Sequence, residues 1–598
     1  MKACNLILIL TLLFTLTIQS SFSLEDNTTE NQQQYFELTH PLVTNTDTPP
    51  SCSVNLLTHT FANTVDTNTS TDTTFTPSIT VYYTPPPTTC KWSHAVLEFQ
   101  AKCNGTTPMH DRVAGVWIAG VELLRTSTAQ PTDNGSFWSV RKDVTKYTSI
   151  ITTQDNSTSF SVMLETLDKE NLTGVYHINV SMHFYDHNAF RFALSSVVGD
   201  LEGYKKNRKL SSIDGNGVGD MLGLYPYDTH ADMIIPISGD VDEGYWFRIE
   251  NESDVKKTSV RIDQRTYKAV LEMYISSHGD EEFWYLTPPD SYTKSNNLVS
   301  GKGKGAYREV LLTIDGKLVG TVIPTPLIFT SGINPSLWKP AVAIGAFDQP
   351  SYDIDLTPYL GLLLGDKDHS IEIQVAEGGS YWLVGANMHI WLSNSNVQAI
   401  VEYQPPSMEI ENDYEFEGLE GEFEIEVERS SSAVGLVQSS FGIINTKVTE
   451  EIKFKNKLTF KEQGTRKELD QKIKRKTKVK ITDARGSSIV KYEIERTYPL
   501  KITAVTQPWY GKGISTVSTT VVQGRSESFS SGKVILRALN HDVNCTGSML
   551  VNGNCVMSGS TENHQNYYYK DGLGCFSRKV NVMEGDVVGD ETSSICVK

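Results

Sequence analysis

The chain has 598 residues, 39% of them hydrophobic and 21% charged, and a formal net charge of −18. That length holds three or four compact domains, and the apolar share is ample for their cores. The acidic balance speaks against nucleic acid or an anionic membrane as main partner, because both call for a basic surface, and it suits neutral or mixed-charge ligands such as sugars.

Residues 1–23 read as a signal peptide. Lys2 supplies the positive start, residues 6–18 form an apolar run broken only by threonines, and Ser21 and Ser23 stand at −3 and −1 of a cleavage site. A later apolar stretch, 311–333, is interrupted by Asp315, Lys317, Pro324 and Pro326 and makes no membrane span. The chain is therefore expected to follow the secretory route, secreted or vacuolar, with no membrane partner. Acceptor sequons for N-glycosylation at Asn27, Asn68, Asn104, Asn134, Asn156, Asn171, Asn179, Asn251 and Asn544 agree with this route. An oxidising compartment favours disulfides over metal sites. Cys52 is expected to pair with Cys90, and Cys545, Cys555, Cys575 and Cys596 to form two bridges in one of three pairings. Cys103 is left over, as a free or intermolecular thiol or as a buried one.

Residues 24–88 are rich in Thr and Pro and are expected to be irregular, apart from a short strand at 54–61. From 89 to 246 short alternating runs recur at 95–100, 114–118, 160–164 and 176–184, and a Gly- and Asp-rich connection follows at 204–227. Similar runs fill 247–400, where Asp315-Gly316 predicts a hairpin turn. Region 401–598 opens with the strict alternation EFEIEVE at 422–428. It later carries Lys474, Lys476, Lys478 and Lys480 on one strand face, which suggests cross-strand charge pairing between the two segments. Its last sixty or so residues hold four cysteines and read as a stapled β appendage. Almost no stretch has a helical period, so the fold class is all-β, built from sandwiches.

No HExxH, GxSxG or phosphate-loop pattern is present, and His278, His369 and His389 lack ligand spacing. No metal or other cofactor is expected. What remains is proton chemistry by carboxylates among aromatics, and two segments combine these. One is 110–128, beginning His110-Asp111-Arg112; the other is 277–309, with Glu281, Glu282 and Trp284. On spacing alone the first reads as a surface ion pair and the second as a loop that anchors its aromatics in the core.

The segments WSHAVLEFQAKC, DRVAGVWIAGVELLRTSTAQPT, FWSVRKDVTKY, GAYREVLLTIDGKLVG, FTSGINPSLWKP and IGAFDQPSYDIDLTPYLGLLL closely resemble the plant-type peptide-N-glycosidase A family. More distantly, the first two β blocks resemble the paired jelly rolls of bacterial peptide-N-glycosidase F. The resemblance implies two jelly-roll domains, at 89–246 and 247–400, before the β-rich, disulfide-stapled region. It also implies an amidase that cuts between the first GlcNAc and asparagine of N-glycosylated peptides and proteins at acidic pH, core α1,3-fucosylated glycans included. By the same resemblance Asp111 would act at the scissile amide and its water, Glu165 would hold Arg112, and Glu282 would orient sugar hydroxyls or a water, with Glu281 and Glu309 as alternatives. Arg112 and Arg308 would stabilise developing charge. Trp284, Tyr285 and Trp117 are either stacking faces for the chitobiose or core. A noncatalytic glycan-binding sandwich and a glycoside hydrolase cutting within the chitobiose are the competing readings.

Overall fold

The computed structural model describes residues 32–42, 49–62, 64–65, 73–74, 77–104, 113–132, 134–165, 175–186, 229–239, 245–298, 304–509, 513–552, 555–572 and 574–596. The signal segment and the sequons at Asn27, Asn68 and Asn171 lie outside the described residues.

The first sandwich has a five-stranded sheet in the order β1 (Gln33–Tyr35), β9 (Ser136–Asp143), β6 (His94–Asn104), β11 (Val175–Tyr185), β2 (Cys52–Phe61). Facing it is a four-stranded sheet in the order β5 (Ser78–Tyr82), β10 (Ser159–Glu165), β7 (Val113–Ile118), β8 (Val121–Ser127). A two-residue ribbon joins β3 (Thr64–Val65) to β4 (Thr73–Thr74). Lettering the sandwich strands B to I from β2, the sheets read B-I-D-G and C-H-E-F, which is the jelly-roll order. The second sandwich repeats it. β13 (Phe247–Ile249), β20 (Trp382–Leu392), β15 (Thr266–Ser277) and β18 (Ser351–Asp355) form one sheet, with β12 (Met233–Pro236) also along β20. β14 (Lys256–Val260), β19 (His369–Ala376), β16 (Glu309–Ile314) and β17 (Lys317–Val322) form the other.

β7 and β8 are buried at every position, and their sequences lack alternation for that reason: one face packs on the partner sheet and the other on the second sandwich. Ala119-Gly120 and Asp315-Gly316 close two-residue hairpins with positive φ at both positions, as primed turns require; the second lies where the sequence predicts it.

Residues 398–593 form a single eleven-stranded sheet: β21 (Gln398–Glu402), β22 (Ser407–Glu417), β23 (Glu420–Ser439), β24 (Gly442–Lys461), β25 (Arg466–Asp483), β26 (Ser488–Trp509), β27 (Ile514–Ser531), β28 (Val534–Asn552), β29 (Cys555–Lys570), β30 (Cys575–Met583) and β31 (Asp586–Ser593). At about 3.3 Å per residue, β26 alone runs about 70 Å. Alternation turns Phe454, Leu469, Ile473 and Val543 inward onto the sandwiches. Asn563 Nδ2 donates to the carbonyls of Leu337 and Ala341 at 2.9 Å each, Asn456 Nδ2 donates to Tyr285 O at 3.0 Å, and Arg429 pairs with buried Glu309. The region, its last strands included, is a wall against the second sandwich and the 36–40 arm rather than an appendage.

Other expectations also change. Residues 24–88 contribute β1, β2 and β5 to the first sandwich, beyond the one short strand. The acidic strand pairs with its hairpin neighbour, so Lys453, Lys455 and Lys457 neutralise Glu422 to Glu428, while Lys476 pairs with Glu493 and Glu495. Cys52–Cys90 and Cys575–Cys596 are disulfides. Cys545 is not bridged: it is buried opposite Asn563, while the Cys555 backbone lies opposite Asn552, seven residues or about 24 Å along the strand. Cys103 is buried in the first sandwich, out of reach of a second chain.

Candidate functional site

The seam between the sandwiches is fixed by an ion pair with no exposure. Arg125 donates from Nε and Nη2 to both oxygens of Glu122, at 2.8 and 2.9 Å, and from Nη1 to Ser276 Oγ (3.0 Å) and Leu383 O (2.8 Å) across the seam. Trp246 Nε1 donates to the same carboxylate at 3.0 Å. Such a pair is tolerable in a dry interior because nearly every donor is used. A Cβ at position 385 would stand 1.8 Å from Glu122 Oε2, which is why a glycine lies there. His278 bonds Ser276 Oγ at 2.7 Å; burial, helped by Arg125 and Arg248, pushes it down to about 3 and keeps it neutral.

Beyond this lock, at one end of the seam, lies a small buried cluster that includes Trp117, Met163, Trp246, Phe329 and Tyr381. Glu165 ends β10 opposite Val113, the first residue of β7. The half-exposed Arg248, on β13, reaches Glu165 Oε1 at 3.5 Å and also binds Glu250, and its guanidinium lies 3.7 Å above the Tyr381 ring. Burial works against the Glu250 carboxylate, yet the hydrogen bonds from Ser380 and Arg248 hold it below the usual range. The Tyr381 hydroxyl is buried without a partner.

The loop carrying Glu282 is sewn to the same rim. His278 N donates to Tyr381 O and Asp280 N to Ser380 O, both at 2.9 Å. Of the three glutamates left open by the sequence, Glu282 is partly exposed and the other two are buried. Glu281 is clamped by Arg308 and Trp382 Nε1; burial opposes its charge, but Arg308 holds it below the usual range. Glu309 is held by Arg429.

Two expectations shift accordingly. Trp284 is 1% exposed, packed against Trp382 and Phe454, and Tyr285 and Trp117 are equally deep, so none offers a face to a sugar. Arg308 is 1% exposed and spent on Glu281 and the carbonyls of Gly305 and Tyr307, so it does not reach a substrate here. Asp111 and Arg112 precede Val113 in sequence and lie outside the described residues. The structure does bring Glu165 and the Glu282 loop to one rim through Arg248, Glu250 and Ser380. It adds Arg248, Glu250 and Tyr381, which sequence reasoning missed; the charged alternation at 248–250 was the available signal. Among the described residues no group of three His, Cys, Asp or Glu is placed to hold a metal ion.

Carboxylates that exchange protons, an arginine that steadies developing negative charge and a buried phenol suit hydrolysis of a polar bond. Fold and rim together define a two-jelly-roll protein with a carboxylate–arginine site at the seam. A family model described as peptide N-acetyl-beta-D-glucosaminyl asparaginase amidase A matches residues 40–406. The chain is 33% identical over 574 residues to the peptide-N4-(N-acetyl-beta-glucosaminyl)asparagine amidase A of Prunus dulcis, covering 94% of this chain and 93% of that one. Similar solved structures include PNGase F, a glycosylasparaginase from Flavobacterium meningosepticum, and PNGF-II. Each has 13% identity and a TM-score of 0.34 over 57% of this chain, covering 96% and 66% of theirs. The chain belongs to the peptide N-acetyl-beta-D-glucosaminyl asparaginase amidase A family.

Proposed function

We propose that the protein hydrolyses, at the seam rim, the amide joining the first GlcNAc of an N-linked glycan to its asparagine. The observation that carries this is the family match across both sandwiches, together with the near full-length relative. Water adds to the side-chain carbonyl carbon, the C–N bond breaks, and the nitrogen leaves with the sugar as a glycosylamine, having gained a proton; the peptide keeps an aspartate. Asp111 is assigned to water and the scissile amide, and Glu282 to sugar hydroxyls or a bridging water. Glu165 is assigned to holding a guanidinium, either Arg112 as the resemblance suggests or Arg248, its neighbour in the fold. Arg248 is the donor best placed at the rim to stabilise the tetrahedral oxyanion.

Mass spectrometry of a digested glycopeptide tests the reaction. Aspartate with no residual sugar is expected; asparagine still bearing one GlcNAc would make the protein a glycoside hydrolase, and an unchanged glycopeptide a binding module. The substrate range extends in this reading to core α1,3-fucosylated glycans, and a fucosylated peptide that survives while its defucosylated twin is cut would remove that part. No helix among the described residues is long and apolar enough to cross a membrane. The two disulfides support a secretory destination, extracellular or vacuolar.

A further inference from the structure

Away from the Glu165 rim, the first sandwich, the second sandwich and the long sheet line a cavity of about 630 Å³. Asp143, on its wall, pairs with Val96, eight residues along β6 from Asn104, the end from which the chain proceeds to Val113 and the Glu165 rim. At about 3.4 Å per residue the two places are about 27 Å apart along the strand. Nothing in the proposed amidase chemistry uses this cavity, yet its size is that of a ligand site.

Its lining is polar but nearly neutral. Seven lysines and arginines and five carboxylates face it. Lys142 is paired with Asp348 and Arg525 with Glu527, while Lys146 and Arg475 reach Glu272 and Glu450 behind the wall. Counting those two, seven cations meet seven carboxyl groups, one of them Glu37, which burial pushes up to about 7, so the space offers fixed donors and acceptors with little net field for an anion. At one side the His40 ring stacks on Tyr569 with centroids 3.8 Å apart. Gln349, in the wall, is 1% exposed and neither its amide nitrogen nor its oxygen has a hydrogen-bond partner. An adjoining depression of about 640 Å³ shares Thr39, His40, Leu42 and Arg141, which makes the whole an elongated trough.

Paired charges that present both donors and acceptors, an aromatic platform and an unsatisfied amide in an elongated trough fit a neutral polyhydroxyl chain. We infer that this cavity is a second glycan site, which holds the outer sugars of an N-linked glycan away from the scissile amide; the inference rests on the amidase reading for its choice of sugar. The test is calorimetric titration of the full-length chain with a free, neutral, branched N-glycan, beside a chitobiose control. The wild-type protein is compared with Gln349→Met, which keeps volume and removes both polar atoms, and with Tyr569→Ala at the platform. The branched glycan is expected to bind with each variant at least tenfold weaker. KM for a peptide carrying that glycan should rise, while cleavage of a chitobiosyl peptide stays unchanged. Equal glycan affinity in the wild-type protein and both variants, or binding of inorganic phosphate in place of the glycan, would overturn the assignment. Failure to cut the chitobiosyl peptide in the wild-type protein would instead count against the amidase reading.

Discussion

Replacing Glu122 by Gln tests whether the buried ion pair locks the two sandwiches. The variant keeps the shape of the side chain but removes the charge that accepts two bonds from Arg125 and one from Trp246. Arg125 then keeps Ser276 Oγ, Leu383 O and the one remaining oxygen of the new Gln, while the amide NH2 turns two hydrogens toward its guanidinium. Stranding one member of a buried pair costs about 3–5 kcal/mol. At about 2–4 °C per kcal/mol for units of this size, the first thermal transition should fall by about 6–20 °C. Differential scanning calorimetry reads it, and loss of amidase activity on heating should follow that transition. The double variant Glu122→Met/Arg125→Met is expected to recover most of the loss, since an apolar replacement of the whole pair leaves no charge stranded. A single variant within 2 °C of the parent, or a double variant no better than the single, would refute the argument.

Asp111→Asn removes a proton acceptor while keeping size. Turnover should fall by a factor on the order of 10² or more with glycopeptide binding little changed, and near-normal turnover in a folded variant would take Asp111 out of the mechanism. Arg248→Met should lower kcat/KM by about 10²-fold with a small change in thermal midpoint, because this half-exposed side chain serves the rim rather than the core; unchanged kinetics would leave it a mere rim ion pair. Burial pushes the Glu37 carboxyl up to about 7 against the pull of the Gly345, Phe347 and Asp348 N–H groups. A pKa raised on folding means that docking of the 32–40 arm is strongest below about 4.5 and weakens as pH climbs through 7. Hydrogen exchange at those three amides should quicken over that window beyond its intrinsic rise, and Glu37→Gln should abolish the excess; a flat excess in the parent would contradict it.

Local features were the legible ones. Asp315-Gly316 declares its hairpin because the turn's φ requirement is met within two residues, and alternation at 422–428 declares a strand for the same reason. The partner of that strand was not legible: Lys474 to Lys480 match its charges as well as Lys453 to Lys457 do, and only the short connection at 440–441 decides for the latter. Trp284 and Arg308 show how an acidic-aromatic run reads alike whether it faces solvent or core. Residues 78–82 looked irregular because β5 is an edge strand, half-buried and rich in polar groups. Arg248, Glu250, Tyr381 and Glu165 come from segments far apart in the chain, so only the folded seam reveals them as one group.

The pair between Glu309 and Arg429 also has a meaning for biosynthesis. Glu309 is buried in the second sandwich, yet its counter-charge is encoded 120 residues later, in the third sheet. At about 5–20 residues per second, the ribosome delivers that arginine roughly 6–24 s after the glutamate. The carbonyls of Leu337 and Ala341 wait longer still for Asn563. A nascent chain that has emerged only through residue 406 therefore carries an uncompensated carboxylate on a surface awaiting cover. The strands of the second jelly roll end at Leu392, so it can close before the third sheet is made, but a fragment ending at that point leaves the Glu309 face to water until Arg429 arrives.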